Sequence, residues 1–169
     1  WFVTADRAVD GNTDPVFLFG DSANSISHTG DYADSWWEVD LGGDYNLDHL
    51  RLFDRYDFPG QFSNFFVTVY HDGAQVFRQY VSRVSTAGGG SLQIDLPRGT
   101  IGDLVRIQLN GLNLDGNGSL VMAECEVYDR GVSGLTGINS VMVSQDGTRL
   151  YTTGTGGGVS VFSRKPSGQ

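Results

Sequence analysis

The sequence predicts an all-β protein, folded as an antiparallel β-sandwich. Short stretches that alternate apolar and polar residues follow one another at spacings of about 8–12 residues, with turn signals between them, which is typical of a sandwich. No stretch of roughly 12 residues or more keeps a helical period. The 169-residue chain contains 24 glycines and is 12% aromatic, a composition that favours many turns and strands over helices.

The strand from Trp36 to Leu41 shows the pattern most clearly. Adjacent strand residues point to opposite faces, so one of the two tryptophans is expected in the core and the other outside. Trp37, Val39 and Leu41 then share the apolar face. The remaining predicted strands of this domain are Leu47–Phe53, Phe65–His71, Gln75–Val81, Leu92–Leu96, Leu104–Leu109 and Val121–Tyr128.

Composition excludes several classes of partner. The net charge of −9 argues against binding to nucleic acid or to an anionic membrane surface, because both need basic patches. No apolar run is long enough to span a membrane. Cys125 is the only cysteine and lies in an apolar alternation, so we expect a buried structural thiol and no intrachain disulfide.

No catalytic constellation is present in the sequence. The three histidines stand apart, and no zinc-protease, serine-hydrolase or P-loop motif occurs. Pairs of carboxylates lie along single strands, where a solvated face or a metal explains them better than glycosidase chemistry. We therefore expect a protein that is not an enzyme.

A composition shift at residue 130 divides the chain into two predicted domains, 1–129 and 130–169. The second contains strands at Ser140–Ser144, Arg149–Thr153 and Val159–Phe162, and it resembles one blade of a lactonase- or YVTN-type β-propeller. A single blade cannot bury its own faces. Residues 130–169 are thus either the start of a following domain or strands docked on the sandwich, and both chain ends look cut from a longer protein.

The long loop from Ala8 to Thr29 is rich in oxygen ligands. Loops of this length usually have a function, and calcium binds six to eight oxygens of this kind. The spacing of Asp10, Asn12 and Asp14 imitates an EF-hand, but Pro15 replaces the turn glycine and no helix flanks it. Ordinary turns are the alternative explanation. The other oxygen-bearing side chains are Asp21, Ser22, Asn24 and Ser25.

Four motifs in order carry a family resemblance: "RAVDGNTD", "SISHT", "SWWEVDLGGDYNLDHLRLFDR" and "AECEVYD". They resemble the fucolectin subgroup of the discoidin (coagulation factor V/VIII type C) superfamily, over residues 5–129. The resemblance implies a jelly-roll, galactose-binding-like β-sandwich. The family's first strand normally precedes the first motif, and here only Trp1–Asp6 does.

The resemblance also implies a calcium site that joins the loop to the last strand. By position its ligands are the Arg7 carbonyl, the Asp10 carboxylate, the Asn12 carbonyl, Ser25 through hydroxyl and carbonyl, the Ala123 carbonyl and Glu124. The strand alternation places Glu124 on the face opposite Ala123 and Cys125. A plain surface carboxylate is the alternative reading of Glu124.

The resemblance implies a sugar site as well, with His28 and Arg55 on the family's first two sugar-binding positions. Gln61, or its neighbour if the motif is shifted by one, stands where the family has a second arginine, and the family's vicinal cysteines are missing. Phe58 offers a stacking surface. The alternatives are a satisfied loop histidine for His28 and, for Arg55, a surface ion pair with Asp54 or Asp57. These departures weaken an expectation of fucose as the ligand.

We thus expect a calcium-stabilised carbohydrate-binding module of a larger extracellular, secreted or cell-surface protein. The alternatives are a discoidin-type adhesion module, in which calcium is structural and loop aromatics such as Phe17, Phe19 and Phe58 contact a protein or surface partner, and a spacer without a ligand. The sugar and the oligomeric state are left open.

Overall fold

A computed structural model describes residues 3–17, 25–131, 138–146, 148–154 and 159–163. Predictions for Asp21, Ser22, Asn24 and Phe19 lie outside these residues. The chain divides into two units, Trp1–Asp129 and Arg130–Gln169, and each is described by itself.

The first unit is an antiparallel β-sandwich of eight strands among the described residues. The strands are β1 (Ser27–His28), β2 (Trp36–Phe53), β3 (Ser63–His71), β4 (Ala74–Arg83), β5 (Ser91–Asp95), β6 (Ile101–Leu109), β7 (Val121–Met122) and β8 (Glu124–Asp129). The main sheet has the order β4-β3-β6-β2-β5, and β8 also pairs with β2; β1 and β7 form a separate pair. The sequence prediction of an all-β sandwich is confirmed.

Strand β2 is longer than predicted and belongs to both layers. The two predicted strands Trp36–Leu41 and Leu47–Phe53 are one 18-residue strand, with a register shift against β6 between Asp40 and Tyr45. Gly42 adopts a φ of 76° at this irregularity, a conformation that favours glycine. β2 pairs with β6 from Trp36 to Asp40 and again at Tyr45 and Asn46, and from Leu47 onward it pairs with β8 and β5. The bend therefore carries the chain from one layer to the other.

The two tryptophans separate as the alternation predicts. Trp37 is 3% exposed and its Nε1–H donates to the Ala5 carbonyl at 2.9 Å, whereas Trp36 is 50% exposed. Trp37 joins a core that fills the space between the layers and includes Leu47, Leu50, Leu52, Phe62, Phe65, Val67, Val69, Ile94, Val105, Ile107 and Leu109. Trp37 thus ties the short 3-10 helix Ala5–Val9 to the core.

The predicted strand Val121–Tyr128 is interrupted at Ala123. Strand β7 pairs with β1, and β8 pairs with β2, so the chain changes partner at this residue. The alternation of inward and outward side chains shifts by one residue at the same point. Met122 and Cys125 both face the main core although they are three residues apart. Val121 and Ala123 instead join Ile26 in a small second cluster. Glu124 follows directly and is buried as a consequence.

The turn between β3 and β4 is well defined, and the prediction for Cys125 is confirmed. Asp72 and Gly73 have φ values of 50° and 75° and form the β3–β4 turn, as a type I′ hairpin requires. Cys125 is buried, and burial raises the pKa of its thiol to about 12, with Glu124 and Glu126 acting in the same direction. This thiol is inert at neutral pH.

The second unit contains a three-stranded antiparallel sheet. Its strands are β9 (Ile138–Val143), β10 (Arg149–Gly154) and β11 (Val159–Ser163), with β10 in the centre. These strands fall where the sequence predicts strands, and the likeness to a propeller blade stays a prediction. Among the described residues of the chain, no helix is long and apolar enough to cross a membrane.

The two tryptophans give a matched test of the fold. Trp37→Phe removes a buried hydrogen bond and part of a core side chain, so we expect a loss of about 1–3 kcal/mol in the free energy of unfolding. Trp36→Phe at the exposed position should change it by about 0.5 kcal/mol or less. Urea unfolding of both variants measures this, and equal losses would contradict the assignment of inward and outward faces.

Candidate functional site

The first part of the long loop is shaped by a series of side-chain turns. The carboxylate or amide oxygens of Asp10, Asn12 and Asp14 each accept a hydrogen bond from the backbone N–H two residues later, at 2.8, 3.1 and 3.0 Å. This geometry is the Asx turn. It explains the alternating spacing by local turns, the alternative explanation that the sequence offers for this loop.

Glu124 meets this loop from the last strand. It is 3% exposed; Oε1 accepts a hydrogen bond from the Gly11 N–H at 3.2 Å, while Oε2 is buried without a hydrogen-bond partner among the described residues. Burial raises the pKa of Glu124, and the nearby Asp10 charge raises it further, whereas the Gly11 N–H lowers it. The reading of Glu124 as a surface carboxylate is therefore wrong, because the break at Ala123 turns it inward.

The other predicted calcium ligands lie on the same segments. Arg7 is in the 3-10 helix, with its N–H donating to the Thr4 carbonyl at 3.4 Å. The Ser25 hydroxyl donates to the Asp14 carbonyl, and the Ala123 N–H donates to the Phe53 carbonyl at 2.9 Å. The described residues contain no group of three or more His, Cys, Asp or Glu side chains suited to a metal. A cation here would depend on two carboxylates, the Ser25 hydroxyl and backbone oxygens, all of which calcium accepts.

Arg55 is the centre of a second cluster. Its Nε donates to Asp57 Oδ1 at 2.7 Å, its Nη2 to Asp57 Oδ2 at 2.8 Å, and its Nη1 to Gln61 Oε1 at 3.0 Å. The rings of Phe17 and Phe58 lie on the guanidinium, each with its centroid 5.0 Å away. Arg55 is only 4% exposed. The ion-pair reading names the correct partner, Asp57, but places the arginine wrongly on the surface.

The structure thus brings together three of the predicted sugar residues, Arg55, Phe58 and Gln61. Phe58 is 52% exposed, as is suitable for a stacking surface. The position after Gln61 is Phe62, which is fully buried and stacked on Phe65 with centroids 4.7 Å apart. Neither alignment of the motif therefore offers a second arginine. Phe17 was foreseen only as an adhesion aromatic, because its contact with Arg55 joins distant parts of the chain.

His28 lies on β1, opposite Val121. It is partly buried, and its Nδ1 contacts the Thr29 carbonyl. Val121 and Ile26 form the small cluster against which Phe17 packs. Through Phe17, the strand that carries His28 and the loop that carries Arg55 are neighbours.

Asp54, next to Arg55, was expected only as a surface ion-pair partner of that arginine, and the structure corrects this expectation. It is fully buried, and neither carboxylate oxygen has a hydrogen-bond partner among the described residues; the same holds for the buried Nε of Arg83. Burial raises the pKa of Asp54 to about 8, although the charges of Arg55 and Arg83 lower it and that of Asp115 raises it. A single sequence shows only a carboxylate beside an arginine, which gives no sign of burial.

A cleft of about 650 Å³ lies away from both clusters, at the bend of β2 and the β3–β4 hairpin. Its lining includes Asp40, Asp44, Tyr70, Asp103 and Arg106. Arg106 is already held by Glu38, with its Nη2 and the Glu38 Oε2 2.6 Å apart. None of the predicted site residues contributes to this cleft.

The fold, with loop clusters at the end of β2, defines a lectin-like β-sandwich module of the galactose-binding type. The family of NedA-like galactose-binding domains, within the F5/8 type C group, matches residues 7–107. The chain belongs to this family. Fucolectin-6 of Anguilla japonica is 37% identical over 60 residues, which are 36% of this chain and 30% of that protein, so the match spans less than a third of that relative.

Solved structures agree with this assignment. The lectin domain of lectinolysin, complexed with Lewis B antigen, is 30% identical with a TM-score of 0.64, covering 76% of this chain and 86% of that one. A Streptococcus pneumoniae fucose binding module, SpX-3, is 33% identical with a TM-score of 0.63 and the same coverage. A fucolectin from striped bass serum is 25% identical with a TM-score of 0.62, and the match covers 76% of this chain and 43% of that one.

The buried Asp54 gives a prediction on pH. Between its ordinary pKa near 3.8 and the raised value of about 8, the folded chain keeps a proton that the unfolded chain has released, so the free energy of unfolding falls as pH rises. Asp54→Asn removes this dependence. Urea unfolding at about pH 5 and about pH 7.5 measures this. The free energy of unfolding of the variant should rise relative to that of the wild type as the pH rises. If the difference in the free energy of unfolding stays constant, or if the wild type becomes more stable as pH rises, Asp54 is ionised and paired with Arg83.

Proposed function

We propose that this chain is a carbohydrate-binding module that takes a fucose-containing glycan at the Arg55 cluster. The observation that carries the proposal is the fixed arrangement of Arg55, Asp57 and Gln61 beside the half-exposed ring of Phe58. Such sites combine an apolar face, which covers the C–H surface of a sugar, with polar groups that bind its hydroxyls. The relatives whose names include fucose or a Lewis antigen support fucose as the sugar.

The cluster has the rigidity that a weakly bound, hydroxyl-rich ligand requires. A bidentate carboxylate and two aromatic rings hold the guanidinium, so binding does not have to order it. The Asp57 side chain is 42% exposed and provides a hydrogen-bond acceptor at the surface. His28, on strand β1, is included in the proposed site as a further polar contact.

The proposal includes a calcium ion between the long loop and β8. The buried, unpartnered Oε2 of Glu124 fits a cation, because a buried carboxylate oxygen without a partner is costly unless a cation compensates it. The ion would supply a fixed attachment for the loop. The residues that would hold it are Arg7, Asp10, Asn12, Ser25, Ala123 and Glu124, with Arg7, Asn12 and Ala123 contributing backbone carbonyls.

We further propose that the module acts outside the cell, as part of a secreted or cell-surface protein that binds glycans and is not itself an enzyme. The relatives that are named as lectins, one of them from serum, support this setting. The adhesion alternative relies on exposed loop aromatics; of those named for it Phe58 is 52% exposed, and the structure adds Tyr56 at 64%. Those side chains suit a protein surface as well as a sugar.

A glycan array tests the proposal. The chain in calcium is expected to bind fucosylated oligosaccharides, including Lewis b, and Phe58→Ala should weaken that binding by about tenfold or more, because the stacking surface is lost. Tyr45→Ala, which removes an aromatic side chain of similar exposure at the β2 bend, is the matched control and should bind normally. No binding to any glycan by a folded chain would overturn the proposal and leave the adhesion reading.

Calcium has its own test, independent of any sugar. Calcium should raise the Tm of the wild type, since a ligand that binds only the folded state stabilises it, and EDTA should reverse the rise. Glu124→Gln should abolish the rise in Tm. Glu126→Gln, at a less buried position two residues further along β8, should keep it. A Tm that does not respond to calcium in the wild type would exclude the calcium site.

A further inference from the structure

The outer face of the main sheet carries an arginine without an acceptor. Arg78 lies on β4, and its Cζ atom is 3.8 Å from the centroid of the Phe66 ring on the neighbouring strand β3. The Arg78 side chain is exposed, and among the described residues it makes no hydrogen bond and no ion pair. A guanidinium carries its N–H groups in its own plane, so the ring supports one face of Arg78 and leaves the donors open.

A second arginine on the same face shows what such a group binds. Arg106 lies two strands away on β6, where its Cζ atom is 4.8 Å from the ring centroid of Trp36. Its Nε and Nη2 donate to Oε2 of Glu38, its partner residue on β2, at 2.8 and 2.6 Å. Among the described strands β4 is at the edge of the sheet, so no outer neighbour gives Arg78 a carboxylate. A ligand can supply the equivalent group.

The cleft at the bend of β2 begins beside Arg78. Its lining includes Tyr70, which is two residues along β3 from Thr68, the residue that pairs with Arg78. Such diagonal neighbours on adjacent strands are roughly 7–8 Å apart. The cleft volume of about 650 Å³ lies in the range of ligand sites, roughly 300–1,000 Å³. One ligand can therefore reach the arginine and the cleft together.

The cleft itself is suited to neutral hydroxyl groups. Asp40 Oδ1 accepts a hydrogen bond from the Gly42 N–H at 2.8 Å. Asp103 Oδ2 accepts one from the Asp72 N–H, also at 2.8 Å. The second oxygen of each carboxylate can accept from a hydroxyl group of a sugar. An acid group would be repelled in the cleft, because Asp44 adds a third carboxylate to its lining.

We propose that this face is a second glycan site for an acidic oligosaccharide, in which Arg78 binds the carboxylate of a sugar acid and the cleft binds the neutral sugars next to it. A carboxylate matches the donor fork of arginine in a bidentate manner. The charge of −9 on the chain opposes an extended polyanion or an acidic protein surface, so a single carboxylate followed by neutral sugars fits best. None of these residues belongs to the Arg55 cluster, and the two sites can be occupied independently.

The probes are sialyllactose, which has one carboxylate on its terminal sugar, and lactose, which is the neutral remainder. In NMR titrations of the isotope-labelled chain, sialyllactose should bind at least about tenfold more tightly than lactose and perturb amides of β3, β4 and the β2 bend. Arg78→Ala should remove this preference. Arg78→Lys, which keeps the charge but not the donor fork, should restore little of it. Arg98→Ala removes the same charge at an exposed turn position, is the matched control and should bind like wild type.

The cleft has a separate test. Gly43 lines it, and a Cβ atom at this position would meet only the Tyr45 ring, at 3.9 Å. Gly43→Leu therefore narrows the cleft without changing any charge, and it should weaken sialyllactose binding by about fivefold or more. Unchanged binding by this variant would exclude the cleft from the site.

Lewis b, titrated into the same variants, separates this site from the proposed fucose site. Arg78→Ala should keep Lewis b binding, and Phe58→Ala should keep sialyllactose binding. Equal affinities of the wild type for sialyllactose and lactose would overturn the second site, whether or not Lewis b binds. Equal losses in Arg78→Ala and Arg98→Ala would overturn it as well, because the attraction would come from overall charge. A triglutamate peptide that binds at Arg78 as tightly as sialyllactose would assign this face to an acidic protein partner and refute the sugar.

Discussion

The end of strand β2 is the constraint on which both candidate sites depend. Phe53, its last residue, pairs with Glu124 and accepts a hydrogen bond from the Ala123 N–H, and Arg55 follows after one further residue. Because β2 belongs to both layers, its position is set by β5, β6 and β8 together. The buried carboxylate of Glu124 and the buried guanidinium of Arg55 are thus attached to the same backbone. Because that backbone is held by neighbouring strands, the positions of the attached loop residues are fixed by the sheet.

The two ionisable groups at this point, Arg55 and Asp54, are buried with opposite results. Arg55 is buried with a hydrogen bond from each of its three side-chain nitrogens and an ion pair with Asp57, so its charge is paired. Asp54, the residue before it, is buried with no partner on either oxygen and keeps its proton at neutral pH. Side chains of adjacent residues near a strand end point in opposite directions, so Arg55 meets the loop aromatics Phe17 and Phe58 while Asp54 is buried away from them.

Sequence alone predicts the fold well and the site in part. Alternation of apolar and polar residues identifies the strands because the sandwich buries one face of each, as for Trp37. It wrongly divides β2 in two and wrongly joins β7 to β8, because a bulge and a change of partner strand leave no periodic signal. The order of the motifs correctly predicts that Arg55, Phe58 and Gln61 lie in one cluster. It gives no sign of the burial of Arg55, the role of Phe17 or the state of Asp54, because these depend on contacts between segments far apart in the chain.

The long loop connects the two candidate sites, which gives the proposed calcium a role beyond stability. Gly11 donates to Glu124, and a few residues later the Pro15 carbonyl accepts the Tyr56 N–H at 2.8 Å and Phe17 covers Arg55. A cation between Asp10 and Glu124 would hold the start of this segment in place. The end of the segment, which closes one face of the guanidinium, would then be ordered at a lower entropic cost. Metal binding would thus help to preorganise the Arg55 cluster without contacting the sugar, because the same segment carries Phe17 to the guanidinium.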